Sequence, residues 1–123
     1  MSRHIAGIVA GYLFFGICSG ALFRLSGVDP HATPTFSFAL LATVAGMVFA
    51  ALAGFFAATV STRGGVAARH LAIVVAVVGL AFAAIGRARG SVWSELVTAL
   101  VLAPCVWAGG LFADRRTPGA RLR

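Results

Sequence analysis

The chain has 123 residues, of which 60% are hydrophobic and 11% charged, with a mean hydropathy of +0.99. A soluble domain carries about a quarter charged residues, and one this small cannot hide so much apolar surface, so a water-soluble globule is excluded and lipid is the required solvent. The net charge of +7 comes from ten Arg against three acids. These arginines lie between and beyond apolar runs with no aromatic-interleaved basic patch, which assigns them to membrane flanks rather than to nucleic acid.

Four apolar runs follow in chain order, at 5–23, 36–60, 71–86 and 92–113. Crossing a bilayer core takes about 20 helical residues. The third run is short alone, but it extends back through 66–68, and the stems of Arg69 and Arg87 can snorkel to the headgroups. Barrel strands are about 10 residues long and alternate in polarity, and these runs do neither. The expected helices are therefore 5–25, 36–60, 66–86 and 92–113, with residues 114–123 as a basic cytoplasmic tail.

The links are short and carry breakers: Ser26-Gly27-Val28-Asp29-Pro30 with His31-Ala32-Thr33-Pro34, then Ser61-Thr62-Arg63-Gly64-Gly65, then Arg87-Ala88-Arg89-Gly90-Ser91. Short links make sequential helices antiparallel neighbours. The fold class is an all-α membrane protein, a four-transmembrane-helix antiparallel bundle. The first run has a second reading as a cleaved leader, with Arg3 and His4 as its basic start and Ser19-Gly20-Ala21 as a cleavage site. Its length, and Arg24 where an interface residue belongs, favour a retained helix.

Positive residues resist translocation. With both ends in the cytoplasm, the inner side holds Arg3, Arg63, Arg69, Arg115, Arg116, Arg121 and Arg123, and the outer side Arg24, Arg87 and Arg89. That seven-to-three split predicts a multi-pass protein of the inner (plasma) membrane with cytoplasmic termini, and it leans on the C-terminal arginines.

Small residues form the clearest internal pattern. Gly7 and Gly11, then Gly16 and Gly20, make two GxxxG pairs in the first helix, and Ala42, Gly46, Ala50, Gly54 and Ala58 recur every four residues in the second. Such faces let helix backbones approach closely. The spacing predicts a seam between the first two helices of one chain, with Gly79 off it. A dimerisation seam is the alternative, so a homo-oligomer or another membrane partner stays open.

Charge inside a membrane points to function because burying it is costly. Glu95, one turn into the fourth helix, is the one candidate for a coupling carboxylate, with a surface pair to Arg87 or Arg89 as the favoured reading. Pro104 must free a backbone carbonyl and bend the fourth helix, which makes it the second candidate. Trp93 fits an interfacial anchor, and Tyr12, Thr43 and Thr59 are positioned for interhelical hydrogen bonds.

His4 and His70 fall at one side of the membrane and His31 at the other, which argues against a metal site built from all three. Cys18 and Cys105 differ in depth by roughly 9 Å at 1.5 Å per residue, more than the Cα separation of about 7 Å that a disulfide tolerates, so both are expected free. No Ser-His-Asp set, phosphate-binding loop or paired carboxylates can be assembled. No catalytic residue, cofactor or metal ligand is assigned.

Gly16-Ile17-Cys18-Ser19-Gly20-Ala21-Leu22-Phe23-Arg24 resembles part of the first-helix signature of small four-helix fluoride channels. It lacks that signature's second glycine. Thr43 stands where the family has a pore asparagine, and the third helix has no Phe-Ser-Thr segment, so the activity is not carried over. A broader resemblance is to small bacterial four-helix membrane proteins without an assigned activity. It rests on Ala53-Gly54-Phe55 before a basic loop, Arg69-His70, Trp93, Pro104, and Gly109-Gly110 before Arg115-Arg116. That resemblance implies the architecture alone. The expected role is a non-enzymatic structural or accessory membrane protein, with a small oligomeric channel or transporter as the alternative.

Overall fold

A computed structural model describes residues 2–29, 32–87 and 92–116. Four helices make up almost all of it: α1 (Ser2–Ser26), α2 (Phe36–Val60), α3 (Gly64–Gly86) and α4 (Trp93–Arg116). All four are long and apolar enough to span a bilayer. No strand occurs among the described residues. The chain is a multi-pass, all-α membrane protein.

Each boundary has a local cause. Gly27 adopts φ +69°, and its N–H donates to the Phe23 carbonyl at 3.1 Å, an αL cap that stops α1. Thr35 caps α2, its side chain accepting from the Phe38 N–H. The expected bounds of α2 match. The other three helices run further into the interface than the apolar runs suggested, because charged residues mark the edge of lipid and not the end of a helix. α4 continues through Arg116, so the expected tail begins as the last turn of α4, where Arg115 and Arg116 complement the helix dipole. Residues 117–123, including Arg121 and Arg123, lie outside the described residues.

Pro104 lacks an N–H, and its ring crowds the carbonyl four residues back. α4 responds one turn earlier. From Thr98 to Leu102 it widens to a π-helical turn, with the Ala103 N–H reaching back five residues to the Thr98 carbonyl.

Alternating chain direction follows from which ends meet. Gly7, early in α1, lies against Ala57 and Ser61, late in α2, and Gly79, late in α3, against Glu95 and Ala99, early in α4. The core consists of Phe15, Ala50, Ala53, Ala57, Leu71, Val75, Leu102, Ala103 and Val106. No polar or charged side chain is buried among the described residues. Large apolar side chains such as Ile17 (70% exposed) and Leu25 (88%) face outward, which suits lipid and not water.

The expected α1–α2 seam is corrected in two ways. α1 does pack on α2 through Gly7 and Gly11, but their partners are the Ala57 and Ala53 backbone carbonyls. Gly46 and Gly54 face α4 instead: a methyl group at Gly46 would meet the Leu102 side chain, and one at Gly54 would collide with the Val106 carbonyl. Gly109 of α4 returns the contact against the Ala51 backbone. The α2 residues that meet Gly7 and Gly11 of α1, Ala53, Ala57 and Ser61, lie off the four-residue stripe, whose Gly46 and Gly54 both face α4. Gly16 and Gly20 are exposed, and a methyl group at either would meet nothing within 4 Å. Gly79, expected off the seam, is a tight α3–α4 contact: a methyl group there would lie 3.3 Å from the Ala99 side chain.

Candidate functional site

α1 and α4 both pack against α3. Between them and α3 opens a cleft of about 300 Å³. Gly16 is exposed because it lines this cleft, together with Gly79 from α3. Phe15, Phe23 and Phe82 supply aromatic surface, and Tyr12, Ser94, Glu95 and Thr98 supply the polar atoms.

Glu95 is half-buried and lines this cleft. It stands in the first turn of α4. The Ser94 hydroxyl donates to Glu95 Oε2 at 2.8 Å. Of the two arginines considered as partners, Arg87 is exposed and Arg89 lies outside the described residues.

Thr98 forms the floor beside Glu95, and its hydroxyl donates to the Ser94 carbonyl at 2.7 Å. It is also the first residue of the π turn that Pro104 imposes. Pro104 itself is exposed on the other side of α4, in a shallow groove with Arg69 and Trp107. The proline thus shapes the cleft from a distance and does not line it. Ser94 and Thr98 escaped sequence reasoning, although their spacing of four beside Glu95 puts three oxygen-bearing side chains within about one turn.

Three aromatic rings close the bundle above a second, smaller cavity of about 70 Å³. Trp93 packs 6.2 Å from Phe23 and 6.5 Å from Phe38, and its indole N–H donates to the Ala32 carbonyl at 3.2 Å. Trp93 is thus a clasp between the first loop and α4 as well as an interfacial anchor. Thr43 and Thr59 make no interhelical bond: their hydroxyls donate to Ala39 and Phe56 carbonyls of their own helix.

At the opposite end, His4 and His70 meet. His4 Nε2 lies 3.0 Å from His70 Nδ1, and His4 Nδ1 lies 3.2 Å from Ser61 Oγ. His31 lies outside the described residues. The pairing is 66 residues apart in the chain and has no local signal. Helix parity does place residues 4 and 70 on one side. Asp114 sits against Gly65 at the start of α3, near the positive end of that helix dipole. Cys18 and Cys105 are both free thiols.

Comparisons with protein-family models, with curated proteins and with solved structures find no match to this chain.

Proposed function

We propose that this chain is a non-enzymatic accessory protein of a bacterial inner membrane, with the Ser2 and Arg116 ends in the cytoplasm. The observation that carries this reading is the plugged core. Leu71, Val75 and Val106 are essentially fully buried at the bundle centre, and α2 and α4 touch backbone to backbone at Gly54 and Gly109. A hydrated path needs polar lining, and the core of this bundle is built from apolar side chains alone.

The placed groups also support a non-catalytic role. Glu95 and the His4–His70 pair stand at opposite ends, so acid and base do not share a site. Orientation rests on the described arginines: Arg3, Arg63, Arg69, Arg115 and Arg116 stand at one end against Arg24 and Arg87 at the other, five to two. The arginines are assigned to lipid headgroups and not to nucleic acid.

The cleft favours a second reading, in which Glu95 binds a small ion or solute and copies of the chain assemble into a channel or transporter. Flux of fluoride and of small cations from liposomes separates the two. Purified protein is expected to leave flux at the level of empty liposomes. Flux that disappears in Glu95→Gln would establish the transport reading instead.

A further inference from the structure

We propose that His4 and His70 form a two-histidine site for a divalent transition-metal ion, with Ser61 as the residue that orients it. The nitrogen pair is the first reason. His4 Nε2 and His70 Nδ1 approach to 3.0 Å. Two zinc–nitrogen bonds of about 2.0–2.1 Å at the tetrahedral angle put their nitrogens about 3.3 Å apart. The two imidazoles therefore stand within a few tenths of an ångström of two adjacent positions on one ion. Their rings are nearly perpendicular, at 84° with centroids 5.2 Å apart.

Ser61 is the second reason. Metal-binding histidines nearly always engage their other ring nitrogen with an orienting partner. His4 Nδ1 does so with Ser61 Oγ at 3.2 Å, and the Arg63 N–H donates to the same oxygen at 3.1 Å, holding it in place. With an ion bound, each imidazole stays neutral and keeps its single proton away from the metal. His4 then carries it on Nδ1, donating to Ser61 Oγ, and His70 carries it on Nε2.

The scaffold is rigid where the site needs it. Gly7, one turn from His4, presses on Ala57 and Ser61, and Ala67, Ala68 and Leu71 around His70 are fully buried. His70 itself is exposed, which leaves the remaining coordination positions open to water. The nitrogen-only protein ligands select borderline ions such as Zn²⁺ or Cu²⁺ over Mg²⁺ or Ca²⁺. Arg3, Arg63 and Arg69 stand at the same end and oppose a dication, which sets the affinity below that of a closed four-ligand site.

The test is titration calorimetry with ZnCl₂ on metal-stripped protein in detergent, purified without a polyhistidine tag. One chelator-reversible Zn²⁺ per chain is expected. His4→Gln and His70→Gln should each abolish it, and Ser61→Ala should weaken it by about 10- to 100-fold. Glu95→Gln, at the other end of the bundle, should bind as the unmodified chain does. Far-UV helicity and elution volume check that each variant is folded. Binding that persists unchanged in both histidine variants, or no saturable Zn²⁺ binding by the unmodified chain, would overturn the proposal.

Discussion

Gly54 of α2 lies directly against the Val106 backbone of α4, with no room for even a methyl group between them. In lipid no hydrophobic effect drives helices together, so close backbone contact and its dispersion energy are what hold such a crossing. Gly109 against Ala51 repeats the arrangement from the other side. This crossing fixes α2 to α4, and the cleft lies between α4, α1 and α3.

Gly54→Ala should therefore be the most damaging of the single-methyl changes in α2. The added carbon meets backbone, which cannot swing aside, so overpacking of about 1–3 kcal/mol or more is expected. Gly46→Ala should cost less, because it meets only the end of the Leu102 side chain. Gly20→Ala, in open space, should stay within about 0.5 kcal/mol. Thermal unfolding in detergent measures the order, and equal losses at Gly20 and Gly54 would contradict the crossing.

The Trp93 clasp separates into two contributions. Trp93→Phe keeps an aromatic ring near Phe23 and Phe38 but removes the bond to the Ala32 carbonyl, a loss of about 1 kcal/mol. Trp93→Ala removes the ring contacts as well and should lower the melting temperature further. A Trp93→Phe variant as unstable as Trp93→Ala would mean that the ring contacts contribute nothing.

How much of this was legible in the sequence depends on whether the signal was local. The span of α2 could be read because Pro34 and Thr35 precede it and Ser61 to Gly65 follow it. The last turn of α4 could not, since Asp114, Arg115 and Arg116 carry a membrane-edge signal that hides a continuing helix. Pro104 announced a distortion but not its form, a widened turn at Thr98–Leu102 with Gly79 of α3 beside Ala99. Gly54 was recognisable as a packing glycine. Its partner was not, because α2 presents two sets of small residues to two neighbours, Ala53 and Ala57 to α1 and Gly46 and Gly54 to α4. The His4–His70 pair needed the full three-helix register.

The cysteines give a direct check on depth and register. Both are free and half-buried in the bundle. Titration of denatured, unreduced protein should count two thiols per chain. A count near zero in a monomeric band would place the two at one level and contradict the present packing of α1 and α4.

Topology is tested by reporter fusions. A fusion between Thr62 and Arg63, and another after Arg116, should both report the cytoplasm, because Arg3, Arg63, Arg69, Arg115 and Arg116 share that end. A reporter placed in the first loop, after Asp29, should report the opposite side. Reversal of all three signals would invert the bundle and move the cleft to the cytoplasmic face.

The cleft makes a prediction about water. Its floor residue Thr98 lies within α4, flanked by the lipid-facing Leu96 and Leu100, yet it lines a space that also holds Glu95 and Ser94. An acidic side chain within a membrane-spanning helix faces a cavity, a partner or water rather than lipid. Thr98→Cys, in a chain whose Cys18 and Cys105 are replaced by Ala, should therefore react in membranes with an impermeant maleimide added from the Trp93 side. Leu100→Cys, 69% exposed but turned to lipid, should react slowly because the thiolate needed for the reaction does not form in hydrocarbon. Gly16→Phe puts a ring into the cleft where a methyl group would meet nothing within 4 Å, so it should fold normally and protect the cysteine at position 98. Rapid labelling at position 100 with none at position 98 would show that the cleft is closed to water in the bilayer.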